Sequence, residues 1–263
     1  GLEGRPSTQY IGGHMPVYLW KGSIGGDIFT HGEGNLRINQ IRGSYNYVTP
    51  YFSGLVSVGG RLGISQVRLD GSKVRTPQGS YIDGIINHRD LVLSNTLQNG
   101  FGGTWELSAL FTNADIQVMA SMTNLVSLGQ SVGNAKYAHN KTLHFFGQYF
   151  YTLNPNLILQ PSISFQTNFN VLQAELRAVA NFNIKNYAGL SLRGYSGRTF
   201  DALAIVAGHR VSPKFSLFYA YDIGLSGLRS VHDGTHDLIV RINLDPIFGK
   251  NLPPRIIYNP RFL

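Results

Sequence analysis

The chain has no cysteine, which removes disulfides and thiolate metal sites and leaves an envelope location open without requiring it. Charge is also scarce. Asp, Glu, Lys and Arg make up 14% of the 263 residues, whereas an ordinary soluble domain carries about 25%. Long hydrophobic runs are missing. With 43% apolar residues and a mean hydropathy of -0.06, no stretch approaches the roughly twenty consecutive apolar residues of a membrane-crossing helix, so a helical membrane protein is excluded. Acidic residues are few, and the net charge is +8. Yet Lys and Arg are scattered singly and no basic run interleaves with aromatics, so nucleic acid is not an expected partner.

What the chain does have is 31 glycines, 14 tyrosines and 15 phenylalanines, the balance of glycine-rich strands with aromatic girdles. One hairpin, Leu157 to Phe182, states the rule for the remainder. Leu157, Leu159, Ile163 and Phe165 share one parity, opposite Gln160, Ser162, Ser164 and Gln166. After a turn at Thr167 to Asn170, Leu172, Ala174, Leu176, Ala178, Ala180 and Phe182 repeat the apolar parity opposite Gln173, Glu175, Arg177 and Asn181. Strand side chains alternate faces, so each strand has one apolar and one polar face. About ten residues of clean period two, repeated strand after strand, fits a membrane barrel better than a soluble sandwich.

The same alternation runs along most of the chain. Ser7 to Leu19 and Gly22 to Phe29 read as an opening hairpin, with Pro16 limiting the first strand. Leu36 to Val48 follows, and its apolar parity changes near Gln40 and Ile41, which predicts a β-bulge there. Leu55 to Leu69 is the next strand. Asp70 to Gly100 breaks the rhythm with turn signals at Asp70-Gly71, Thr76-Pro77 and Asp83-Gly84, and long loops of this kind usually face outward in such barrels. Strands resume at Trp105 to Phe111 and Ile116 to Ala120, Leu125 to Ala138 is irregular, and Leu143 to Tyr151 leads into the hairpin. Asn186 to Tyr195, Ala202 to Ser212, Phe215 to Asp222 and Asp237 to Leu244 complete the series. About thirteen strands are clear. Even numbers are usual in bacterial barrels, so the predicted fold is all-β, an antiparallel transmembrane β-barrel of about 14 strands within roughly 12 to 16. The barrel is expected to be a single domain over residues 1–245, followed by a tail over 246–263 docked on or in it.

If the apolar parity faces lipid, the interior collects Arg61, Glu106, Glu175, Arg177, Arg193, Asp222, Asp237 and Arg241. Charges of both signs inside imply an ion-pair network, a watered channel, or both. No local signature of a nucleophile, base and orienting group is present, so no enzyme and no cofactor are expected. His144 and His209 stand alone on strands. His232 and His236 flank Asp233, but extended backbone separates them by more than about 10 Å, and no metal is expected there. Asn140-Lys141-Thr142 matches a glycosylation acceptor, a tripeptide frequent by chance. The last residues, Leu252 to Leu263, contain three prolines and so form neither a regular ladder strand nor a long helix. Their aromatics favour docking, with Arg255, Tyr258, Asn259, Arg261 and Phe262 as candidate contacts.

Several stretches together resemble one family: Arg68-Leu69-Asp70-Gly71-Ser72-Lys73, Gly84-Ile85-Ile86-Asn87-His88, Leu153-Asn154-Pro155-Asn156, Leu159-Gln160-Pro161-Ser162, Gly189-Leu190-Ser191-Leu192-Arg193, Tyr219-Ala220-Tyr221-Asp222, Gly234-Thr235-His236-Asp237 and the tail. In order and spacing they resemble the PorP/SprF family of type IX secretion outer-membrane proteins of Bacteroidota. Members usually begin with a further segment bearing an Asn-Pro, so residues before Gly1 are expected. The resemblance implies a non-enzymatic, integral outer-membrane barrel that binds or anchors secreted cargo, surface or gliding adhesins among them, through a C-terminal sorting domain. The partners it implies are that cargo, type IX translocon subunits, a periplasmic peptidoglycan-associated protein and outer-membrane lipid. The mixed-charge interior alone would equally suit a passive porin or small-molecule transporter.

Overall fold

The computed structural model describes residues 5–17, 20–90, 92–126, 130–133, 135–195, 199–225 and 234–244. It is all-β. The strands are β1 Ser7–Val17, β2 Gly22–Glu33, β3 Leu36–Tyr51, β4 Gly54–Asp70, β5 Leu97–Thr112, β6 Ile116–Thr123, β7 Gln130–Val132, β8 Ala135–Tyr137, β9 Thr142–Tyr149, β10 Tyr151–Asn154, β11 Leu157–Thr167, β12 Leu172–Phe182, β13 Asn186–Tyr195, β14 Thr199–Arg210, β15 Phe215–Gly224 and β16 Thr235–Ile242. Fourteen of them form one antiparallel sheet in chain order, and β7 and β8 pair separately. Strand β10 continues the line of β9 past Phe150 and pairs with the start of β11. Every neighbour along the path is therefore a hairpin partner, the arrangement of an up-and-down barrel. Strands β1 and β16 are the two ends of this path.

Burial is inverted relative to a soluble protein. The buried polar residues include Asp27, Gln40, Ser65, Thr104, Ser121, Gln160, Asn181, Ser191, Ser216 and Asp222, while the buried apolar side chains are only Val67, Val132, Phe150 and Ala204 among the described residues. Exposed instead are Ile11, Ile28, Ile41, Ile64, Leu62, Trp105, Leu107, Leu176 and Leu190. A sheet that encloses its polar face and turns its apolar face outward can hold its backbone hydrogen bonds in lipid only by curling round on itself. The predicted hairpin is present at Leu157–Phe182, in register from Leu157 opposite Phe182 to Thr167 opposite Leu172. Among the described residues no helix is long and apolar enough to cross a membrane.

The two ends of the sheet differ. The connections between β3 and β4, β5 and β6, β10 and β11, β12 and β13, and β14 and β15 are two to four residues each. Loop 71–96 and loop 124–141, which carries β7 and β8, both lie at the opposite end.

The expected bulge near Gln40 is absent. Strand β3 pairs without a shift with β2 from Glu33 opposite Leu36 to Gly22 opposite Tyr47, and with β4 from Leu36 opposite Leu69 to Tyr51 opposite Gly54. The parity of the sequence changes because the surroundings change. On the short-turn side of Ile41 and Ile64, apolar residues point outward and Arg42, Ser44 and Asn46 point in. On the long-loop side, Arg37, Asn39, Gln66 and Arg68 point outward while Ile38 and Val67 point in. Shifts do occur elsewhere, between Thr152 and Asn154 and between Arg193 and Gly194.

Candidate functional site: a charge-lined interior beneath a folded-in loop

Alternation along β2 to β5 places Asp27, Arg42, Arg61 and Glu106 on the enclosed face of successive strands. They form a ladder of alternating sign. Arg42 donates to Asp27 Oδ2 from Nε at 2.7 Å, with its second nitrogen at 2.6 Å, and to Gln40 Oε1 at 3.1 Å. The other Asp27 oxygen faces Arg61 Nε at 3.4 Å, and Arg61 reaches Glu106 Oε2 at 3.2 Å. The Asp27 side chain is only 4% exposed. A carboxylate so enclosed has its charge matched by two guanidinium partners rather than by water. The Arg42 guanidinium also lies over the Phe29 ring, 5.5 Å from its centre.

A second ladder crosses β12, β13 and β15. Arg177 donates to Glu175 Oε1 at 2.6 and 3.1 Å, and Ser191 Oγ donates to the same oxygen at 2.5 Å. Arg193 Nε is 3.9 Å from Glu175 Oε2, and its terminal nitrogen donates to Asp222 Oδ2 at 3.1 Å. Each ladder has two arginines and two acids, so each is neutral. The enclosed face of β9 and β11 between them is amide- and hydroxyl-rich, and Gln148 donates to Gln160 at 3.2 Å.

Six of the eight interior charges expected from the sequence thus fall into these ladders: Arg61, Glu106, Glu175, Arg177, Arg193 and Asp222. Asp237 and Arg241 follow the same parity on the path-end strand β16, where both remain exposed, and the Arg241 guanidinium lies over the Phe218 ring at 5.6 Å. That ring rests on Gly208, where a Cβ would meet it at 2.4 Å. Sequence reading missed Asp27 and Arg42. In β2 glycines at 25, 26 and 32 hide the alternation, and in β3 the polarity change obscured it. The tail candidates Arg255, Tyr258, Asn259, Arg261 and Phe262, together with His232, lie outside the described residues.

Toward the long-loop end the described residues of loop 124–141 reach the inner face of the sheet. The β7–β8 hairpin turns inward onto β4 and β5: Val132 and Val67 are buried, and a Cβ on Gly100 would meet Val132 Cγ2 at 2.8 Å and the Ser131 carbonyl oxygen at 2.7 Å. His139 Nε2 is 2.9 Å from Ser65 Oγ, and its ring meets Tyr137 edge-on at 5.1 Å. Burial lowers the His139 pKa, and burial with the nearby Glu33 charge raises that of the Tyr137 phenol. A cleft of about 550 Å³ lies between Tyr137 and His139 of the loop and Gln166, Asn168 and Gln173, and another of about 430 Å³ is lined by His144, Gln166, Glu175 and Arg193. His236 accepts from or donates to the Tyr219 hydroxyl at 2.6 Å, and His209 sits 2.7 Å from Asn186 Oδ1.

The arrangement holds paired charges, amides and a packed loop. A family model described as type IX secretion system membrane protein PorP/SprF matches residues 1–242. The chain belongs to the PorP/SprF family. No curated protein matches it. As a PorP/SprF protein it falls in a family of secretion-system membrane proteins rather than of enzymes, and the inverted burial of its sheet is that of a protein that meets lipid with its strands.

Proposed function

We propose that this PorP/SprF protein is an integral outer-membrane barrel of the type IX secretion system that retains secreted cargo, such as surface or gliding adhesins, through a C-terminal sorting domain. The family match over residues 1–242 carries the reading. The loop asymmetry supports an orientation in which the end carrying loops 71–96 and 124–141 faces the cell exterior and the end with only short turns faces the periplasm. In that orientation the exterior loops hold the cargo. The two neutral ladders and the folded-in hairpin keep the interior closed, and the tail at 246–263 docks on the barrel or on a periplasmic partner. Translocon subunits and a peptidoglycan-associated protein are the remaining partners.

The test is affinity purification from gently solubilised native outer membranes, followed by mass spectrometry. Recovery of a large secreted protein held by its C-terminal domain is the expected result; a partnerless barrel contradicts it. Planar-bilayer recording separates the anchor from a passive porin. An anchor is nearly silent, whereas steady conductance would establish the pore.

A further inference from the structure

Arg37 on β3 and Arg68 on β4 are direct cross-strand partners. Both lie on the outward parity and both are exposed. Like charges facing each other across a strand pair destabilise it, so two arginines held in this position point to an anion between them. Among the described residues neither guanidinium has an acidic partner. Asp70, the next outward position on β4, is engaged elsewhere: Ser72 Oγ donates to it at 2.6 Å and Lys73 Nζ lies at 3.7 Å. Gly32, opposite Arg37 on β2, leaves one flank open, and the exposed Asn99 amide stands opposite Arg68 on β5.

The depth of the pair selects the anion. Ile41 and Ile64, partners on the same two strands, are 67% and 65% exposed on the outward face. One outward step further come Asn39 and Gln66, joined at 3.2 Å, and the arginines follow in the next step. Four residues at about 3.3 Å each, on strands tilted by about 40°, place the arginines roughly 10 Å above the isoleucines along the membrane normal. That is headgroup depth. Guanidinium groups bind phosphate oxygens through paired, charge-assisted hydrogen bonds.

We propose that Arg37 and Arg68 form a binding site for the phosphate of a membrane lipid headgroup in the leaflet on the long-loop side. The inference rests on the membrane reading above and is independent of cargo binding. The probes are phosphorylated lipid A, the same lipid with its phosphates removed, and inorganic phosphate, each added to the full chain in detergent and followed by native mass spectrometry. The intact protein should retain phosphorylated lipid A roughly tenfold better than an Arg37→Ala/Arg68→Ala variant, and should not distinguish itself from that variant with the dephosphorylated lipid. An Arg37→Gln/Arg68→Gln variant, which keeps length and polarity, should lose the same binding, and heat-dependent gel mobility reports whether each variant is folded. Equal retention by intact and variant protein overturns the site. Displacement of the lipid by millimolar inorganic phosphate overturns the lipid assignment in favour of a free anion. Failure of the membrane reading shows separately, as release of the intact protein from membranes without detergent.

Discussion

The two halves of the β3–β4 hairpin share one unbroken register yet obey opposite rules. Between Val56 and Ile64 the outward side chains of β4 are apolar except for Gly60, and the enclosed face carries Arg42 and Arg61. Between Ser65 and Arg68 the polarity reverses: Gln66 and Arg68 face out, and Val67 is buried beneath the folded-in hairpin. The first half is built for hydrocarbon outside and ion pairs inside; the second is built like a soluble sheet, with headgroups and water outside and an apolar contact inside. Backbone geometry does not change between them, so the medium outside does. The reversal therefore marks a membrane boundary on the molecule.

The largest effect is expected where the lipid half relies on its ladder. Asp27→Ala leaves Arg42 and Arg61 facing each other without their shared carboxylate and should cost about 3 kcal/mol or more in urea unfolding from vesicles. Glu175→Ala, beside the more exposed Arg177, should cost less, and equal losses would mean that burial does not distinguish the ladders. Next, Leu62→Arg at the middle of the outward apolar run should cost about 2–4 kcal/mol, whereas Gln66→Arg, four residues along the same face, should stay within about 0.5 kcal/mol. A Gln66→Arg penalty as large as that of Leu62→Arg would erase the boundary.

A smaller effect is expected inside the loop-end half. Gly100→Ala puts a methyl against Val132 and the Ser131 carbonyl and should loosen loop 124–141 by about 1–3 kcal/mol, read as faster proteolysis of that loop with the sheet intact. The smallest is a pH effect at His139. Burial lowers its folded pKa from 6.5, so the unfolded or opened loop takes up a proton first as pH falls. Stability of the closed loop is therefore full above about pH 6.5 and declines below it. Protection of the amides in loop 124–141, taken relative to the intrinsic exchange rate at each pH, should fall between pH 7.5 and 5, and His139→Gln should remove that dependence.

The strand rhythm and most of the interior were legible because period-two alternation survives wherever a strand lies wholly within one medium. The second ladder was readable in full: Glu175, Arg177, Arg193 and Asp222 each stand among clear apolar alternates. The first ladder was half hidden. Asp27 sits among glycines, which report no face, and Arg42 adjoins the boundary, where an inverted pattern mimics a bulge in sequence. The β7–β8 hairpin was read as irregular because strands of three residues carry too few alternations to register. Its inward fold depends on Gly100 and Val67, which are distant in the chain. The count of about fourteen strands matches the sheet, although one of them, β10, continues the line of β9 rather than making a separate crossing.

The most direct test uses the absence of cysteine, since every introduced thiol is unique. Single cysteines at the outward positions Val58, Leu62, Ile64, Gln66 and Arg68 of β4 would carry spin labels in lipid bilayers, and accessibility to oxygen would be compared with accessibility to a water-soluble nickel chelate. Labels at 58, 62 and 64 should favour oxygen, and labels at 66 and 68 should favour the chelate, with the crossover between Ile64 and Gln66. Chelate access along the whole run, or lipid exposure extending through Arg68, would contradict the membrane boundary and the fold reading that depends on it.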